Sequence, residues 1–172
     1  MASSKFFSFF SLLLFISITL FYQTNAQTTL NFYLQDTAKG PGATVTPIIG
    51  LPGRDWTFDQ FGTIIAVDDP VTMGPSPLST QVGRAQGVLV VSAKDGANVN
   101  AILSILFTNA EFSGSTLQIQ GVSRQHEHYK ELSVVSGTGR FAFLRGYATL
   151  ETVVYDPATA HSAIRFNVTL RP

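Results

Sequence analysis

Short runs of alternating apolar and polar residues, cut at close intervals by glycine and proline, constrain this chain more than any other feature. Leu30, Phe32 and Leu34 alternate with Asn31, Tyr33 and Gln35; Leu117 and Ile119 with Gln118 and Gln120; Ile164, Phe166, Val168 and Leu170 with Arg165, Asn167 and Thr169. A period of two sends successive side chains to opposite faces, so each run reads as a strand with one dry face. Residues 63–67, 88–91 and 102–107 are apolar at both parities and read as strands buried on both faces or paired against another subunit. Turn chemistry separates the runs: Lys39-Gly40-Pro41-Gly42, Leu51-Pro52-Gly53, Asp69-Pro70, Asp95-Gly96, Ser113-Gly114 and Gly137-Thr138-Gly139. The pattern predicts eight or nine short strands, no amphipathic helix, and an all-β sandwich or barrel. A barrel has no free edges, and eight strands can enclose one small ligand. Residues 69–81, with Pro70, Pro75 and Pro77, are predicted to form a loop over the rim.

Residues 1–26 read as a secretory signal peptide. Lys5 supplies a positive charge, residues 6–21 are apolar except for Ser and Thr, and Thr24-Asn25-Ala26 offers small residues at the cleavage positions. Residues 27–172 then form one domain, large enough to bury a core of its own. Eleven basic residues balance eleven acidic ones with no basic stripe, which argues against a nucleic-acid partner. The apolar run is too short for a membrane span. The chain has no cysteine, so neither thiolate chemistry nor a disulfide framework is open to it. Only 13% of residues are charged, which implies unusual burial in a core, a pocket or an oligomer contact.

Few residues are placed to do chemistry. Asp36 shares parity with Leu30, Phe32 and Leu34. If the strand extends that far, its carboxyl points into the dry side, where desolvation raises its pKa and suits it to proton transfer; otherwise it begins a turn. Asp68 and Asp69 are adjacent and must face opposite sides of a strand, and Asp69-Pro70 reads as a strand end, although either carboxyl could reach a cavity. Arg84 and Arg145 sit beside glycines, where an arginine can enter a pocket or form a structural salt bridge. His126-Glu127-His128 suggests a metal site, but its spacing to Gly121 and Glu131 differs from that of His-x-His metal motifs, and Arg124 and Lys130 oppose a cation; no metal or other cofactor is expected. Asn167-Val168-Thr169 is a glycosylation sequon on the polar parity of the last strand.

Five stretches occur in order: Phe61-Gly62-Thr63-Ile64-Ile65-Ala66-Val67-Asp68-Asp69-Pro70, Val82-Gly83-Arg84-Ala85-Gln86-Gly87, Gly114-Ser115-Thr116-Leu117, Val134-Val135-Ser136-Gly137-Thr138-Gly139-Arg140-Phe141 and Arg145-Gly146-Tyr147-Ala148. Together they resemble the plant dirigent family over nearly the whole of residues 32–170. The resemblance implies an eight-stranded antiparallel β-barrel with a central hydrophobic pocket, forming a homodimer or homotrimer and secreted to the apoplast. It implies no redox cofactor, because in the family an external oxidase such as laccase makes the phenoxy radicals. It also implies phenolic ligands: monolignol radicals, quinone methides or isoflavanols. By the same resemblance Asp36 and Arg145 are the expected catalytic pair, with Asp69, Leu89, Val91, Phe143 and Tyr147 lining the pocket.

In lignan-forming members, tyrosines stand at the places of Leu89 and Val91, a second aspartate at that of Arg140, and a histidine at that of Gln35. The apolar replacements suit a larger or more hydrophobic phenol. The function expected is stereochemical direction of phenoxy radical coupling or of quinone methide reactions in phenylpropanoid metabolism. One alternative is a pterocarpan synthase-like dehydratase that closes an isoflavanol through a quinone methide. Another is a noncatalytic, lectin-like wall-binding module, for which Trp56 is the single tryptophan.

Overall fold

In the computed structural model, residues 27–172 are described, together with Phe9, Ser11, Leu12 and Leu14, which are helical. The expected signal peptide lies outside the described residues except at those four positions. No helix among the described residues is long and apolar enough to cross a membrane.

Nine antiparallel strands follow one another: β1 (Thr28–Thr37), β2 (Val45–Ile49), β3 (Ile64–Thr72), β4 (Gln81–Val91), β5 (Asn98–Phe107), β6 (Thr116–Arg124), β7 (Tyr129–Thr138), β8 (Arg145–Asp156) and β9 (His161–Arg171). From β3 to β9 each strand pairs with the next. β1 pairs with β9 from Thr28↔Leu170 to Thr37↔His161 and closes on β3 through Tyr33↔Thr72 and Leu34↔Val71. The result is a closed eight-stranded barrel of β1 and β3–β9. The short β2 fills the place along β3 where β1 has diverged.

The strand pattern is as expected, with two differences near the seam. Asp68, Asp69 and Pro70 do not end β3; they lie inside it, and the irregular segment shrinks to residues 73–80, none of which lines the cavity described below. Proline is tolerated here for a local reason. The Asp68 N–H points across the seam to the Thr44 carbonyl at 2.8 Å. Pro70 has the same parity, so its missing N–H falls at the gap where β2 has ended and β1 pairing is only beginning. The other difference is β2 itself, whose five residues carry no alternation that would announce it.

One end of the barrel is plugged. Phe32 and Phe107 point inward from β1 and β5, and Phe112 and Phe141 fold in from the loops that follow β5 and β7. Their ring centroids lie 5.1–5.5 Å apart in tilted and edge-on contacts. Gly137-Thr138-Gly139 is the device that sets Phe141 in place. Gly139 takes φ +60° to start a 3-10 turn, and a Cβ on Gly137 would sit 2.5 Å from the Phe141 carbonyl oxygen. Replacing Phe141 by Ala removes the ring on which the plug converges. Urea denaturation should show a loss of about 3 kcal/mol, the usual cost of a buried Phe→Ala change.

Candidate functional site

Above the plug the lumen opens into a cavity of about 770 Å³, of the size that encloses a drug-sized organic molecule. Its wall is mostly aliphatic: Leu34, Val45, Ile65, Val67, Leu89, Val99, Leu103, Leu132 and Ile164 all contribute. At the rim lie Lys39, Phe58, Gln125 and Tyr155. The Gln125 side-chain amide donates to the carbonyls of Phe58 at 2.8 Å and Gly96 at 2.9 Å, tying the β2–β3 loop to the β4–β5 loop across the mouth.

Two carboxyls project into this dry space. β1 continues to Thr37, so Asp36 keeps the inward parity of Phe32 and Leu34 and lines the cavity. Asp69 points inward with Ile65, Val67 and Val71 from the middle of β3 and is only 3% exposed. Its neighbour Asp68 faces outward, where it pairs with Arg84 and accepts from the Gln86 amide at 3.0 Å. Arg84 is therefore a structural partner on the outer wall.

Thr44 seats Asp69. Its hydroxyl donates to Asp69 Oδ1 at 2.6 Å and accepts from the Thr37 N–H at 2.9 Å, so one side chain from the β1–β2 loop links the seam to the carboxyl. Burial raises both carboxyl pKa values. Asp36 rises to about 6, restrained by the positive charge of Lys130. Asp69 rises to about 8, first through desolvation and then through the charge of Asp36, with the Thr44 hydrogen bond opposing. Of the two, Asp69 is the readier to keep a proton and Asp36 the readier to release one, which suits the pair to act as acid and base.

The cation inside this cavity is Lys130, with Lys39 exposed at the rim; Arg145 does not line it. Lys130 shares inward parity with Leu132 and Val134 on β7 and lines the lumen. Arg145 sits at the opposite end of β8, exposed, directly across from Arg171. It shares the outward parity of Tyr147, while Gly146 and Ala148 take the inward positions. The nearest cavity-lining residue of β8 is Leu150, about 16 Å farther along the strand at ~3.3 Å per residue. The expected pairing of Asp36 with Arg145 is therefore not formed.

Among the expected lining residues, Asp69 and Leu89 face the cavity, while three others do not. Val91 is packed wholly inside the core, Tyr147 is on the outer wall, and Phe143 is 92% exposed at φ +68° beyond the plug. Parity along Lys130-Glu131-Leu132-Ser133-Val134 would have found Lys130. Thr44 carries no such signal, because only the pairing of β2 with β3 brings it to Asp69.

The remaining candidates lie elsewhere. His128 faces Glu151 at 3.1 Å on the outer wall, where Arg165 also donates to Glu151 at 2.6 Å. No group of three or more His, Cys, Asp or Glu side chains among the described residues could hold a metal ion. Trp56 is half exposed and packs against Gly50, where a Cβ would come within 2.5 Å of the indole; it does not line the cavity. Asn167 is half buried on the outer face of β9, between Asn31 and Thr149.

A closed barrel, plugged at one end, whose aliphatic lumen presents two titratable carboxyls and an ammonium, is a pocket for a small, largely apolar molecule with a few polar oxygens. The chain belongs to the dirigent family: the family model for Dirigent-like protein matches residues 27–171. It is 33% identical over 165 residues to Dirigent protein 1 of Arabidopsis thaliana, covering 91% of this chain and 90% of that protein. It is 31% identical over 181 residues to Pterocarpan synthase 1 of Glycine max, covering 98% and 97%. Among solved structures it matches the pterocarpan synthase dirigent protein PsPTS1 with a TM-score of 0.77 at 32% identity, covering 87% of this chain and 97% of that one.

The raised carboxyls leave a mark on stability. The native protein keeps protons on Asp36 and Asp69 that an unfolded aspartate, at 3.8, has already released. Their contribution to stability therefore declines as pH rises from 3.8 and levels off above about 8. Urea midpoints recorded across that range should fall with pH, and Asp69→Asn should flatten the fall between about 6 and 8.

Proposed function

We propose that this protein steers the stereochemistry of reactive phenolic intermediates inside its barrel, and that the reaction it governs runs through a quinone methide. The observation that carries this reading is the pair Asp36 and Asp69: two carboxyls of different acidity facing one apolar cavity. The bond-forming step of radical coupling needs orientation but no proton transfer. Formation and capture of a quinone methide needs a proton delivered at one oxygen and removed at another, and this pair can do both.

In a phenol with a benzylic hydroxyl, neutral Asp69 protonates the leaving hydroxyl and the C–O bond breaks, releasing water. The phenolic O–H gives its proton to the Asp36 carboxylate as its electrons move into the ring, leaving the quinone methide. A second hydroxyl of the same molecule then adds to the methide carbon and returns a proton to Asp69. The carbonyl oxygen takes its proton back from Asp36, so the sum is loss of one water and closure of one ring. The aliphatic wall holds the intermediate in one orientation, excludes bulk water as a competing nucleophile, and thereby selects the face of attack. Isoflavanols are one substrate class of this kind, and the likeness to two pterocarpan synthases supports it. The apolar run at residues 6–21 supports secretion to the apoplast.

The deciding experiment is chiral chromatography of products from a panel of phenols and isoflavanols incubated with the purified protein, with and without laccase. Enantioenriched, ring-closed product without any oxidase is the expected result. Selective product only when laccase is present would overturn the quinone methide route in favour of radical coupling. Asp36→Asn should keep the fold and lower the rate by about a hundredfold or more, in the range for loss of a proton-transfer group. Arg145→Ala should leave the product ratio unchanged.

A further inference from the structure

Lys130 has no role in that proton relay, yet it lines the same cavity. Five titratable side chains face the cavity: Asp36 from β1, Lys39 beyond its end, Asp69 from β3, Lys130 from β7 and Tyr155 from β8. Lys39 and Tyr155 are exposed at the rim. Lys130 is half buried, between β6 and β8 and level with Leu150 across the strand pair. Among the described residues no salt bridge or hydrogen bond holds its ammonium, and the four ion pairs there all involve other side chains. Its charge is nonetheless felt at Asp36, so the two heads serve the same part of the lumen. A half-buried ammonium with free donors, facing a largely aliphatic cavity, is placed to take a negative or strongly polar atom of whatever occupies that space.

We infer that Lys130 is the oxygen anchor of the site: it donates to the phenolic oxygen of the ligand, stabilises that oxygen as phenolate or as quinone methide carbonyl, and makes the pocket specific for phenols able to carry negative charge there. The inference rests on the reading of the cavity as a phenol site and names the residue that would recognise the phenol. The geometry fits the task. Asp36 lies between the other two groups: Asp69, held by Thr44, stands beside it across the seam on β3 as proton donor, and Lys130 faces it from β7. An ammonium facing that oxygen favours the charge-separated form of a quinone methide, which makes the methide carbon more electrophilic. An ether at the same position would leave the ammonium with a poorer acceptor and no charge to balance.

The test uses para-nitrophenol, whose phenol and phenolate forms absorb at different wavelengths, so that the acidity of the bound probe is read directly and without turnover. Saturable binding to the purified protein is expected, with the bound probe ionising at a lower pH than in Lys130→Met by about one unit or more, the usual effect of an opposite charge at close range. Lys130→Arg keeps the charge and should retain most of the shift, whereas a purely structural role would be met equally well by Met. If Lys130→Met does not fold, Lys130→Gln serves the same comparison. The same bound ionisation in the parent and in the uncharged variants would overturn the role of Lys130 and leave the phenol site standing. No saturable binding to the parent protein would overturn the phenol site itself, and this inference with it.

Discussion

Everything in this molecule depends on a closure that is narrow at one point. Neighbouring strands of the barrel pair at five or more positions each, except β1 and β3, where only Tyr33↔Thr72 and Leu34↔Val71 pair before β2 takes over. That short seam turns an open sheet into a tube. Once the sheet is a tube, its inward parity faces a space with no bulk water, and any carboxyl on that parity is desolvated. The acidities of Asp36 and Asp69 follow from topology more than from any local arrangement around them. The seam also delivers Thr44, whose hydroxyl is the single hydrogen-bonding group that opposes the rise at Asp69.

The seam likewise marks where local reading of the residues stops working. Alternation along β1, β6 and β9 needs no tertiary knowledge, and the inward parity of Asp36 was legible as soon as the strand was allowed to reach Thr37. Asp69-Pro70 misleads because Asp-Pro is ordinary turn chemistry. It is admissible inside β3 only because the missing proline N–H meets a gap between two other strands, and that gap is made by residues far away in the chain. β2 is invisible for the same reason: five residues without alternation, held in place by what they fill. Family likeness drew attention to Arg145, but simple parity, applied to Gly146 and Ala148, puts it outside. The same parity rule places Lys130 inside.

The chemistry of the site is a matter of unequal neighbours. Two aspartates in one cavity would be redundant if their surroundings were alike. Asp36 sits near an ammonium; Asp69 sits deeper, near another carboxyl, with one hydroxyl for relief. Those differences give one side chain to donate and one to accept, with no prosthetic group needed for proton transfer. Orientation is left to the aliphatic wall, where Leu89 is the kind of residue that sets shape without offering a hydrogen bond.

The aromatic plug has a consequence for traffic. A tube stopped at one end by Phe32, Phe107, Phe112 and Phe141 has a single doorway, ringed by Lys39, Phe58, Gln125 and Tyr155. Whatever goes in must back out the way it came, so two molecules cannot pass each other, and the deeper guest is always the last to depart. Passage in and out of such a vessel runs through that one rim, where the Gln125 amide ties the neighbouring β2–β3 and β4–β5 loops together.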